Sequence, residues 1–102
     1  MTINDLFALA NKFRQDGNVP MAVQLWTEAL KADPFYGPAH VNMADMYRSQ
    51  ANIVAEKDHL NKFLDCPVTG RTIPLVQQAM NRLVEIEKQL NPQVNQVAQA
   101  PK

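Results

Sequence analysis

The run LFALANKFRQDGNVPMAVQLWTEALKADP, from Leu6 to Pro34, decides the fold. Leu6, Leu9, Ala10 and Phe13 recur at the spacing of one helix face. Gly17 suits the left-handed position just past a helix end, and Asn18 is a good cap for a second helix. Pro20 falls in that helix's first turn, where a missing N–H costs little. Val19, Ala22, Val23, Trp26, Ala29 and Leu30 form a second apolar stripe, which Asp33-Pro34 ends. Upstream, Thr2 or Asn4 can cap the first helix, with Asp5 at the positive end of its dipole. Two helices joined by so short a turn should lie antiparallel.

Three more helices follow. Gly37-Pro38 opens the third, which carries Val41, Met43, Ala44, Met46 and Tyr47. Asn52 caps a fourth with Ile53, Leu60, Phe63 and Leu64 on its apolar side, and Cys66-Pro67 stops it. After a Thr69-Gly70 turn, Thr72 caps a longer fifth helix that has Pro74 in its first turn and ends near Leu90. Val76, Met80, Leu83 and Leu90 are its expected core stripe, and Gln77, Gln78, Asn81, Glu85, Lys88 and Gln89 its polar side. Ile73, Leu75, Val84 and Ile86 widen the apolar stripe beyond one face. Residues 91–102 carry no aromatic residue and no clear period, and are expected to be disordered. No stretch alternates as a half-buried strand would, so the chain reads as all-α.

Shifting the chain by 34 residues places Leu9 on Met43, Ala10 on Ala44, Phe13 on Tyr47 and Arg14 on Arg48. The same shift places Asn18 on Asn52, Val19 on Ile53, Trp26 on Leu60 and Leu30 on Leu64. A two-helix unit with this period resembles the tetratricopeptide repeat (TPR) family, whose signature runs W-x2-L-G-x2-Y…A-x3-F…P. The first unit offers Leu6, Leu9, Ala10 and Phe13, then Ala22, Trp26, Ala29 and Pro34. Small residues at Ala10, Ala22 and Ala29 let the helices approach, while Phe13 and Trp26 fill the wedge between them. In the second unit His40-x2-Met43-Ala44-x2-Tyr47 fits the first-helix pattern. Its second helix departs, with Glu56 in an alanine place, Phe63 matched to Ala29, and Pro67 one residue early. These departures predict a one-residue slip in which Ala55 takes the small-residue role.

The resemblance implies an all-α, right-handed solenoid of helical hairpins forming one domain over residues 3–90. Repeat one would span 3–36, repeat two 37–70, and a capping helix 72–90, which a solenoid needs to cover its last apolar face. It further implies a concave groove lined by the first helix of each unit. Asn4, Phe7, Asn11, Arg14 and Gln15 would face inward from one, and Pro38, Val41, Asn42, Asp45, Arg48 and Ser49 from the other. Arg14, Arg48 and Arg82 repeat in register, so their guanidinium groups could grip carboxylates of an acidic segment. The competing reading pairs Arg48 with Asp45 and leaves the other arginines solvated. Family members that bind heat-shock chaperones use a lysine where Phe7 stands here, and no chaperone binding is expected.

Composition excludes other classes. Ten basic and ten acidic side chains cancel, which leaves no broad field to draw in nucleic acid or an anionic membrane. No apolar run approaches a bilayer span, and the sequence from Met1 to Leu6 lacks the charge and apolar stretch of a secretory signal. A lone Cys66 fits a reduced, cytoplasmic setting. His40 and His59 lie on different helices without metal-ligand spacing, so His40 reads as a packing residue and no metal or cofactor is expected. Cys66 with His59 is the sole candidate nucleophile–base pair, set against the simpler reading of a helix-terminal cysteine. The expected function is therefore non-enzymatic, holding a protein or peptide. The alternative is a homodimer through the helix at 73–90.

Overall fold

A computed structural model describes residues 1–70 and 72–90; the expected disordered tail at 91–102 lies outside them. Among the described residues five helices follow in order: α1 (Ile3–Gln15), α2 (Val19–Ala32), α3 (Gly37–Ser49), α4 (Ile53–Leu64) and α5 (Ile73–Leu90). No strand occurs among the described residues. The chain divides into two units, Met1–Pro67 and Val68–Lys102. In the first, α1 packs on α2, α2 on α3 and α3 on α4.

Helix ends sit where local chemistry places them. Thr2 and Asp5 form a reciprocal capping box on α1, each side chain accepting the other's backbone N–H at 3.1 Å. Those hydrogen bonds hold the Asp5 carboxyl below its usual range. Asn18 caps α2 by accepting from the Met21 N–H at 3.3 Å, and Asn52 caps α4 by accepting from the Ala55 N–H at 3.2 Å. The turn before each cap repeats as well. Gly17 has φ of 85° and Ala51 a φ of 58°, both left-handed. The cap N–H then reaches back to Phe13 O at 2.8 Å in one turn and to Tyr47 O at 2.9 Å in the other. Ala51 adopts at a steric cost what Gly17 adopts freely. Ala51→Gly is expected to raise stability by about 1 kcal/mol, read as a higher urea midpoint with an unchanged m-value.

Ala10, Ala22, Trp26, Ala39, Met43 and Met46 form one buried cluster, flanked by half-buried Phe7, Phe13, Leu25, Tyr36 and Tyr47. The alanines permit the close approach that brings Trp26 to zero exposure.

The expected slip in α4 does not occur. Glu56, Leu60 and Phe63 are its buried residues, the same register as Ala22, Trp26 and Ala29 in α2, while Ala55 is only half-buried. Volume is rearranged instead. Gly37 opens α3 so close to α4 that an added Cβ would meet the Phe63 ring at 3.2 Å. The matching residues of the first hairpin, 34 earlier, are Ile3 and Ala29. The bulk has changed sides, from the first helix to the second.

In the second unit the expected stripe of α5 is rotated. Ala79 and Ile86 are buried, and Leu75, Val76 and Leu83 are half-buried. Met80 and Leu90, expected inside, are exposed along with Ile73 and Val84. The glutamines and charged residues assigned to the polar side are exposed as expected. Thr72 starts the helix through its carbonyl, which accepts from Leu75 and Val76 N–H. Its hydroxyl turns backward and accepts from the Thr69 N–H at 2.9 Å, in place of capping forward.

Candidate functional site

Side chains of α1 meet those of α3 and of its N-cap residue, Tyr36, in three places among the described residues. Asn42 Nδ2 donates to Asn11 Oδ1 at 2.8 Å. Arg14 sends both Nη1 and Nη2 to a single oxygen, Asp45 Oδ2, at 3.3 Å. Phe7 meets Tyr36 edge-on with ring centroids 5.5 Å apart, and the Tyr36 hydroxyl donates to Asn4 Oδ1 at 3.2 Å. Asp45 is thus taken by Arg14 and not by Arg48, which stays exposed. The Arg14–Asp45 pair is open to water and worth at most about 1 kcal/mol. Val41 is half-buried. Arg82 belongs to the second unit, where it meets Glu85 at 3.6 Å.

The Asn11–Asn42 pair is the informative one. Each amide carries a carbonyl and an NH2 group. Their mutual bond uses one of each and leaves Asn11 Nδ2 as a donor and Asn42 Oδ1 as an acceptor. A donor and an acceptor are the two groups that a peptide's C=O and N–H call for. Tyr36 was not legible as part of this face. It sits just before the Gly37-Pro38 helix start, and its aromatic ring was the available signal.

A second feature lies where α2, α3 and α4 converge. His40 is buried and His59 half-buried, and their Nδ1 atoms are 3.2 Å apart. The ring centroids, 5.4 Å apart, exceed that contact by about one ring width, so the nitrogens face each other head-on, as in an N–H···N hydrogen bond. His40 Nε2 lies 2.9 Å from Pro34 O, which can only accept. His40 therefore donates from Nε2 and accepts at Nδ1, and His59 donates from Nδ1. Tyr47 stacks on the His59 ring at 5.6 Å. Sequence spacing alone kept these histidines apart. The signal that finds them is the repeat, because 34 residues earlier the same two places hold Leu6 and Leu25. Among the described residues no group of three or more His, Cys, Asp or Glu is placed to hold a metal ion.

Burial, then the neighbouring His40 and Lys62, push the His59 pKa down to about 4, with Asp58 acting in the opposite sense. The unfolded chain, near 6.5, therefore binds the proton more readily than the folded one. Stability from this group is full above pH 6.5 and declines as pH falls toward 4. With solvent screening the expected loss is about 1–2 kcal/mol, measured by urea denaturation across that window. Restoring the first hairpin's residues, as His40→Leu/His59→Leu, should remove this decline.

Beside the histidines opens a cavity of about 510 Å³. Leu30, Pro34, Phe35 and Met43 form its apolar wall, and Thr27, His59, Lys62 and Asp65 bring polar atoms to it. Cys66 is buried with its thiol bonded to Lys62 O at 3.2 Å. Burial, with Asp33 and Asp65 nearby, raises its pKa, opposite to what a thiolate nucleophile needs.

Compared with models of known families, with curated proteins and with solved structures, the chain matches none. Among the described residues no helix is long and apolar enough to cross a membrane.

Proposed function

We propose that the chain is a TPR-type interaction module, an adaptor or assembly factor that holds an extended segment of a partner protein against the α1–α3 face. The coincidence of α3 and α4 with α1 and α2 after a 34-residue shift supports the repeat reading, down to the turn and cap between the helices. The observation that carries the function is the Asn11–Asn42 pair, with its outstanding donor and acceptor. Exposed Arg48 favours a carboxylate in the bound segment. In this reading the chain works without cofactor, metal or catalytic step, in the cytoplasm, on a protein and not on nucleic acid.

Selection from a displayed peptide library tests it. Peptides enriched on the wild-type chain should lose roughly 10–30-fold in affinity against Asn11→Ala/Asn42→Ala, the effect of two hydrogen bonds of about 1 kcal/mol each. Undiminished binding to that variant, in a chain still folded by circular dichroism, would remove the face from consideration.

A second reading rests on α5. Ile73, Met80 and Val84 fall on one helical stripe and are 60%, 49% and 55% exposed. Self-association through that stripe would bury it. Leu75 and Ile86, of the same apolar set as Ile73 and Val84, are half-buried and buried. Light scattering on dilution decides it, because a monomer at every concentration ends the homodimer.

A further inference from the structure

The cavity between α2, α3 and α4 has a one-sided hydrogen-bonding chemistry. Thr27 Oγ1 spends its proton on Val23 O at 2.7 Å, so toward the cavity it can only accept. His59 spends its Nδ1 proton on His40, which leaves Nε2 as an acceptor. Asp65 is a carboxylate with no ion pair or hydrogen bond among the described residues. Among the described residues Lys62 is the one cationic donor in the lining, and Asp58 holds its ammonium at 2.9 Å.

Comparison with the first hairpin sharpens the contrast. The residues 34 before Lys62 and Asp65 are Glu28 and Lys31, which pair with each other at 3.2 Å. In the second hairpin the signs are reversed and Lys62 turns to Asp58, so Asp65 is left over. It also caps the C-terminal end of α4, where a negative charge opposes the helix dipole. Nothing in the described fold repays that cost.

From this lining we propose that the cavity is a binding site for an organic cation with an apolar body, an arylalkyl ammonium group being the closest fit. The ammonium donates to Asp65 and to Nε2 of His59. The hydrocarbon part lies on Leu30 and Met43, with the exposed ring of Phe35 available for a cation–π contact. The volume falls within the range of roughly 300–1,000 Å³ usual for small-molecule sites. The shift of His59 to about 4 keeps its ring neutral, and hence an acceptor, throughout the physiological range. The site is independent of the α1–α3 face, and neither reading needs the other.

A charge series tests the proposal by nuclear magnetic resonance titration of the full chain at pH 7. The probes are phenethylammonium, the neutral 2-phenylethanol and the anionic 3-phenylpropionate. The cation should bind with roughly millimolar affinity and about tenfold more tightly than the alcohol, as a charge-assisted hydrogen bond provides. It should move the side-chain nitrogen signals of His59, and the anion should not bind. Asp65→Asn should abolish the preference for the cation while leaving the alcohol's affinity and the fold unchanged, and Asn11→Ala/Asn42→Ala should alter neither. Equal affinity for cation and alcohol, a preference for the anion, or no shift at His59 overturns the proposal. A doubly capped lysine peptide separates two sources of the ammonium. Binding of the peptide as tight as that of the free amine assigns a partner's side chain, and binding of the amine alone assigns a small molecule.

Discussion

Replacing Trp26 with alanine is expected to remove about 3–5 kcal/mol of stability, out of a total of roughly 5–15 kcal/mol for a domain of this size. Trp26 has no exposed surface and shares a cluster with Ala10, Ala22, Ala39, Met43 and Met46, residues contributed by three helices. Small alanines cannot move in to fill the space an indole vacates, so the cavity persists. Chemical denaturation followed by circular dichroism reads the loss directly. The indole Nε1–H has no hydrogen-bond partner among the described residues. Trp26→Phe therefore forfeits packing but no hydrogen bond, and it removes a buried unmet donor whose presence costs about 1–3 kcal/mol. It should lose no more than about 1 kcal/mol, because the two effects oppose. If the alanine variant lost less than that, the indole would not be the centre of this core.

The helices were legible because their ends carry local chemistry. Thr2 with Asp5, Gly17 with Asn18, Gly37-Pro38 and Asn52 act within a turn of their own positions, so no distant contact can overrule them. Thr72 is the exception among the caps. Its side chain had two local partners to choose from, and it bonds back to Thr69. Packing within α5 is not legible either, since apolar residues occupy more than one face and periodicity alone does not select among them.

What the sequence hid in the first unit are exchanges between positions far apart in the chain. Glu56 looked misplaced against an alanine consensus, and a slip was the simplest repair. The structure keeps the register and buries Glu56 outright. The histidines were hidden for the same reason. Each alone resembles an ordinary packing residue, and only the match of His40 to Leu6 and His59 to Leu25 shows a polar pair standing where two leucines stand before. The groove residues were half-legible. Asn11 with Asn42 and Arg14 with Asp45 come together across two helices, whereas the arginine ladder overlooked that Asp45 would claim its first rung.

The exchange between Gly37 and Phe63 supplies the sharpest test of the repeat. Phe63→Ala alone should cost about 3–5 kcal/mol, because a ring that is 3% exposed leaves a cavity behind. Gly37→Ile alone should cost about 1–3 kcal/mol, since a Cβ added there would stand 3.2 Å from that ring and a branched side chain cannot evade it. Made together, the two changes install the residue types that stand 34 residues earlier, Ile3 and Ala29. The isoleucine then occupies the space the ring has left, and the double variant should recover about 1–3 kcal/mol relative to the sum of the singles. Urea denaturation of all four proteins gives that coupling. A sum that is merely additive would mean that the two hairpins share a spacing but not a way of packing, and the repeat would then be a coincidence of helix length.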